Sequence, residues 1–318
     1  MTDGNGFLGG RLLVVAFEGW NDAGEAATGA VRALKELLDV RELMTVDPEV
    51  YFDYQFNRPT ISTNEDGRRV IEWPSATMYG PTTPGAVSVP LAEDAELRVS
   101  GTNAANIYLL LGTEPSRSWK SFAAEIFDAA LAADVTGVVF LGAMLADVPH
   151  TRPISIFVSS DNAVVRGELQ IERSTYEGPV GILSILSEAS ENAGIPTLSI
   201  WASVPHYVHN APSPKAMLAL IDKLEEVIDV VIPRGNLVTE AAEWETGIDT
   251  LAAEDDEMAA YIAQLEQARD TVDSPEASGE AIAQEFEKYL RKRGDGRDGR
   301  GDGRSGPDGR SGPDGSRQ

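Results

Sequence analysis

RLLVVAFEGWNDAGEAATGAVRALKELL, residues 11–38, decides the architecture. Its opening run, Leu12–Phe17, is apolar without interruption. A half-exposed strand would alternate, so this one is read as a strand covered on both faces, as in a parallel sheet under helices. Ala23–Leu38 then follows a helical period. The same succession recurs along the chain. IYLLL at residues 107–111 and VVFLG at residues 138–142 are again continuous apolar runs. Candidate strands are Arg11–Phe17, Leu43–Asp47, Arg69–Trp73, Ile107–Gly112, Gly137–Gly142, Ile154–Ser159 and Thr197–Ser203. Helical patterns lie between them at Ala23–Leu38, Trp119–Ala132, Gly181–Ala193 and Pro214–Val230. Alternation of this kind predicts an open α/β/α sandwich wound as one domain to about residue 233.

The C-terminal third has another character. Glu240–Lys288 holds 15 acids against Arg269 and Lys288. Met258, Tyr261, Ile262 and Leu265 form one helical stripe, and Ile282, Phe286, Tyr289 and Leu290 a second. Asp273-Ser274-Pro275 breaks between them. From Gly294 to Gln318 the chain has nine glycines, five aspartates, five arginines and no aliphatic or aromatic side chain. Nothing there offsets ordering entropy, so a disordered tail is expected. The expected division is a sandwich domain over 1–239, an acidic helical extension over 240–293 and the tail over 294–318.

Composition removes several classes of function. The 318 residues include 26 Lys and Arg against 51 Asp and Glu, a net charge of −25. So acidic a surface predicts no binding to nucleic acid or anionic membrane. With no cysteine there is no disulfide, no thiolate zinc site and no cysteine nucleophile. No run approaches the roughly 18 apolar residues of a membrane helix, and MTDGNGFLGG has no basic leader region. A cytoplasmic protein is expected. Gly4–Gly9 spells GxGxxG but precedes the first strand, where it cannot present a helix N-terminus to a pyrophosphate. The sequence indicates no cofactor and no metal.

In a wound sheet, ligands gather beyond the carboxyl ends of the strands. Four loops place polar and aromatic residues there. The turn after the first strand carries Glu18, Trp20, Asn21 and Asp22, where Asn21 or Asp22 can cap the following helix. Glu114 and Trp119 follow the IYLLL strand, and His150 and Arg152 follow VVFLG. His206 and Tyr207 follow LSIWASV. Two readings are open. The residues form capped turns and structural hydrogen bonds, or they line a cleft. In the cleft reading Glu18 and Asp22 are the carboxylates, Asn21 a positioning group, His150 or His206 the acid–base groups and Arg152 an anion clamp. Trp73-Pro74-Ser75 and Tyr79–Gly85 read as a stiff loop near a pocket or an interface.

FEGWNDAGEAA, WPSATMYGPTTPG, LGAMLADVPHTRP and WASVPHYV, in this order, resemble bacterial members of the PAC2 family, the relatives of proteasome assembly chaperone 2. The resemblance covers residues 11–233, and the acidic helical extension resembles the actinobacterial branch. It implies a three-layer α/β/α sandwich like that of purine nucleoside phosphorylases. It implies a noncatalytic chaperone-like or scaffold protein, linked to proteasome subunits and self-associating. The alternative is a small-molecule enzyme or ligand-binding protein at the strand-end cleft, phosphorylase- or hydrolase-like or of the carboxylate–amine ligase kind. The resemblance supplies no catalytic set. The ligase reading is weakened because no expected strand carries a lysine to hold ATP phosphates.

Overall fold

β1 (Leu12–Glu18) is the middle strand of a seven-stranded sheet in the computed structural model, which describes residues 7–64, 66–82, 106–208, 211–228 and 232–273. It pairs in parallel with β6 (Ile107–Thr113) on one side and β7 (Gly137–Ala146) on the other. β9 (Thr197–Pro205) adds to β7, again in parallel. The flanks are antiparallel. β8 (Ile156–Ser159) closes one side, and β5 (Ala76–Pro81) followed by β2 (Val40–Thr45) closes the other. β3 (Thr60–Thr63) and β4 (Arg69–Glu72) form a separate hairpin.

Two helical layers cover the sheet. α1 (Ala26–Leu37) and α6 (Pro214–Ile228) pack on one face, α3 (Trp119–Ala132) and α5 (Ile182–Asn192) on the other. Strand alternation sends Leu12, Val14 and Ala16 into the first core, with Val31 and Leu220. Leu13, Val15 and Phe17 enter the second, with Phe122 and Leu186. These six residues of β1 are essentially buried, and each larger one contributes about 1.5–3 kcal/mol. The expected three-layer α/β/α sandwich is therefore present, with a mixed sheet whose four central strands are parallel.

The structure departs from expectation in several places. The loop expected at Tyr79–Pro81 is a strand, because proline and hydroxyl content hid Ala76, Thr77 and Met78, which are buried. Gly80 lets that strand lie flat, since a Cβ there would stand 2.8 Å from the Tyr108 ring. Thr60–Thr63 pairs with Arg69–Glu72 although only the second was expected to be a strand. A helix at Leu237–Ala253 (α7) was not foreseen, because two of its four buried residues, Ala241 and Ala252, are alanines that carry little apolar signal. α7 packs along α6. α4 (Ala163–Leu169) is a short helix after β8, and α2 (Pro48–Tyr51) is a single turn.

α8 (Asp256–Asp273) carries the expected Met258–Leu265 stripe, of which Ile262 is buried and Met258, Tyr261 and Leu265 are half-buried. One compact unit takes in the described residues up to Glu266, and residues 267–273 belong to a second. The Ile282–Leu290 stripe, the tail, the Gly4–Asn5–Gly6 part of the GxGxxG match and His209 lie outside the described residues.

At Gly112 β6 lies hard against the start of β5. A Cβ there would stand 2.4 Å from Ala76 Cα and 2.5 Å from the Ser75 carbonyl oxygen. Backbone cannot rotate away as a side chain can. Gly112→Ala is expected to cost about 1–3 kcal/mol, seen as a lower urea midpoint at unchanged slope. An unchanged midpoint would mean that β5 yields without cost.

Candidate functional site

The turn after β1 is built on backbone bonds. Gly19 has φ 110°, where a side chain would be strained, and its carbonyl accepts from the Asp22 amide at 3.1 Å. The Asn21 carbonyl accepts from Ala143 of β7 at 2.8 Å. Asp22 reaches forward into α1. Its Oδ1 accepts from the Ala27 amide at 2.7 Å and the Thr28 amide at 3.2 Å, and its Oδ2 from the Thr28 hydroxyl. A buried carboxylate thus occupies the positive end of α1. Burial pushes its pKa above the usual aspartate value, against the pull of the Thr28 and Ala27 hydrogen bonds and the Arg32 charge.

Glu114 does the equivalent for α5. Its Oε1 accepts from the Ile182 amide at 2.7 Å and lies 3.4 Å from the Asn21 amide nitrogen. Asn21 is buried against Gly181, where a Cβ would come within 2.4 Å of it. Glu18 pairs with Arg32 and accepts from the Thr113 hydroxyl at 3.1 Å. The Trp119 indole donates to the Pro115 carbonyl at 2.6 Å, fixing the start of α3. Trp20 alone in this group stands free, 71% exposed.

His150, Arg152, His206 and Tyr207 form a second group at the same edge. The two loops between the groups abut, with the Ser213 amide donating to the Gly24 carbonyl at 2.7 Å. His150 is completely buried. Its amide donates to the Tyr207 hydroxyl oxygen at 2.8 Å, and its Nδ1 lies 2.9 Å from the same oxygen. The hydroxyl proton is therefore directed to Nδ1, which leaves Nε2–H to donate to Asp249 at 3.0 Å. Lys215 donates to the His150 carbonyl and pairs with Glu245. Arg152 pairs with Glu266 at 3.2 Å, and the Thr151 hydroxyl donates to the same carboxylate. His206 Nδ1 is 3.2 Å from Asp147, and its ring meets Tyr207 and Tyr261 edge-on.

Asp249, Glu245 and Trp244 come from α7, and Tyr261 and Glu266 from α8. These helices are the partners that residue-by-residue reading of the loops missed. Glu245 and Asp249 stand four apart and share a helix face, and Trp244 beside them was the available signal. The candidates are thus held in two groups, one capping α1 and α5, the other fastening α7 and α8. Among the described residues no three His, Asp or Glu side chains gather as a metal site. No described helix is long and apolar enough to cross a membrane.

A wound α/β/α sandwich whose strand-end loops are closed by its own C-terminal helices is the class that this geometry defines. The family model of the PAC2 family matches residues 16–252. The chain belongs to the PAC2 family. It is 40% identical to a PAC2 family protein from Streptomyces avermitilis, over 79% of this chain and 98% of that one, with a TM-score of 0.66. It is 37% identical to a proteasome-assembly chaperone homologue from Mycobacterium tuberculosis, over 79% and 99% of the two chains, with a TM-score of 0.64. An archaeal proteasome activator from Pyrococcus furiosus shares the fold at 12% identity and a TM-score of 0.55, over 76% and 93% of the chains. No curated protein matches the chain.

Two outcomes test the structural roles. Asp22→Ala removes the acceptor of two buried amides, and each unmet donor costs about 1–3 kcal/mol. The urea midpoint should fall accordingly, and an unaltered midpoint would show that water replaces the carboxylate. Burial pushes the Tyr207 phenol up to about 12 from 10.0, partly opposed by the His150 amide. A raised pKa means that the neutral phenol is favoured in the fold. Its stabilisation is complete below pH 10 and is lost as pH rises through about 12. Tyr207→Phe should flatten the alkaline limb of a melting-temperature profile, and an identical limb would assign the loss to other groups.

Proposed function

We propose that the chain is a noncatalytic protein of chaperone-like or scaffold type, which acts in the cytoplasm by docking to other proteins and to copies of itself. Neither nucleic acid nor membrane is a partner in this reading. One observation carries it. His150, the best-placed acid–base candidate, has no exposed surface and spends both ring nitrogens on Tyr207 and Asp249. A group so engaged holds helices together and does not meet a substrate. Glu18, Asp22 and Glu114 are likewise committed to Arg32, α1 and α5.

Proteasome subunits, or their assembly intermediates, are the partner class supported by the name of the Mycobacterium relative. Relatives from Streptomyces and Mycobacterium support the actinobacterial branch. The test is direct binding of the purified full chain to purified proteasome α-subunits and half-assembled particles, followed by interferometry. Saturable binding is expected. Absence of binding to both preparations overturns the proteasome link. The competing reading, a ligand-binding protein or enzyme at the strand-end edge, is favoured only by exposed Trp20 beside half-buried Glu18. A thermal-shift panel of nucleosides, nucleotides and amino acids should leave the melting temperature in place, and a dose-dependent rise would restore that reading.

The division into a 1–239 domain, a 240–293 extension and a 294–318 tail belongs to the same reading. Deleting 294–318 is expected to leave the melting temperature unchanged. Deleting from 240 removes Ala241, Ile248 and Ala252 from the core, together with the partners of His150, Lys215 and Arg152. Calorimetry should show a loss of several degrees, at about 2–4 °C per kcal/mol. Equal melting of the two truncations would make the extension a passive appendage.

A further inference from the structure

The second half of α7 and the start of α8 are held to the molecule with little apolar burial. Of residues 244–266 only Ile248, Ala252 and Ile262 are buried, whereas β1 buries six residues in a row. The stretch carries seven carboxylates and no basic side chain. Four of them, Glu254, Asp255, Asp256 and Glu257, are consecutive where α7 gives way to α8, and like charges so close repel. α7 is also weak within itself. Gly247 sits inside the helix with open space where a Cβ would stand, so no close approach demands a poor helix former there. Thr246 and Thr250 donate their hydroxyls to the carbonyls four residues back, a bond that bends helices. Segments with few buried apolar contacts open before the rest of a fold.

The fastening is a row of carboxylates on one cationic face. Asp249 lies 3.0 Å from His150 Nε2, Glu245 pairs with Lys215, and Glu266 pairs with Arg152 at 3.2 Å. The Trp244 ring meets His150 edge-on, and the Tyr261 ring meets His206 and Tyr207 in the same way. The face beneath is made by the loops after β7 and β9 and by the start of α6. It also carries an acid of its own. Asp147 lies 3.2 Å from His206 Nδ1 and accepts from the Tyr261 hydroxyl at 3.4 Å. Two cations and two histidines thus stand against that one carboxylate, and three carboxylates of residues 244–266 complete the match.

Resting on the docking role proposed above, we propose that residues 244–266 are a removable strap over a docking face of His150, Arg152, His206, Tyr207 and Lys215, and that an acidic helix of a partner protein takes the strap's place. The strap is the template for that partner. Glu245 and Asp249 stand four apart, about one turn of helix, and reach Lys215 and His150 from the same side. A basic or uncharged partner would cover Lys215 and Arg152 without a counter-charge, which desolvation penalises. An acidic helix restores both pairs, so the exchange replaces like with like. Until it arrives, the strap keeps the face closed to other partners.

The experiment uses the full chain. Hydrogen–deuterium exchange should reach the amides of residues 244–266 well before those of β1, β6 and β7. Exchange of both sets together makes the stretch part of the core and overturns the strap. A fluorescent peptide of residues 244–266 is the acidic-helix probe. The double variant Glu245→Gln with Glu266→Gln should bind it at least about tenfold more tightly than wild type, because a covered face lowers apparent affinity by the fraction that is open. The double variant Arg152→Glu with Lys215→Glu also loosens the strap but loses the cations, and it should not bind the peptide. Unchanged protection of β1 in the same exchange measurement establishes that this variant is folded. Where that protection is lost, Arg152→Gln with Lys215→Gln replaces it, with the same loss expected. A peptide carrying Glu245→Gln, Asp249→Asn and Glu266→Gln that binds as tightly as the acidic one overturns the acidic partner, and a peptide that binds no variant overturns the face. Binding of proteasome α-subunits keeps the two readings apart. Saturable wild-type binding that Glu245→Gln with Glu266→Gln leaves unchanged overturns the covered face and leaves the docking role. Absence of binding in both chains ends the proteasome link, and the peptide result then decides the face.

Discussion

Strand β1 has water on neither side, and the rest of the molecule is arranged around that fact. Its two faces feed two separate cores, and its backbone bonds are divided between β6 and β7. A strand so placed needs a helix layer above and below it, and α1, α6, α3 and α5 supply them. The loops leaving its carboxyl end are then forced to one edge. There Asp22 and Glu114 meet the first turns of α1 and α5, because a helix N-terminus with unmet amides draws the nearest carboxylate.

That edge is where a sheet of this design offers a site to ligands. This chain fills it with itself. α7 and α8 bring Asp249, Glu245 and Glu266 to His150, Lys215 and Arg152. The fastening combines apolar residues, such as Ile248 and Ile262, with ion pairs of low exposure on the loop side. The polar residues at this edge are thus tied to the molecule's own helices.

What the sequence disclosed follows from where its signals are loud. Leu12–Phe17 and Val138–Gly142 are continuous apolar runs, and only a doubly covered strand reads that way. β5 was illegible because Pro81, Thr77 and Gly80 speak for a loop, although Ala76 and Met78 face the core. α7 was illegible because half of its buried face is alanine. For the site, a cap at Asn21 or Asp22 was expected on a helix from Ala23; α1 begins at Ala26, and Asp22 reaches past that turn to Ala27 and Thr28. The placement of His150 and His206 beyond strand ends was readable as well. Their partners were not. Asp249 is 99 residues from His150, and no local pattern encodes a contact across that distance.

The central strand also has no neighbour in sequence among its neighbours in space. Leu12 sits beside Ile107 and Gly137, so β1 has nothing to pair with while the chain before β6 is all that exists. During synthesis its six apolar residues leave the ribosome well before either partner strand. At about 5–20 residues per second, the interval between β1 and the completion of β7 at Ala146 is of the order of ten seconds. Until β7 is complete, at least one edge of LLVVAF, a strand with no charge inside it, has no partner. The acid at Glu18 and the arginine at Arg11, one at each end, are then the residues that keep it from pairing with another nascent chain.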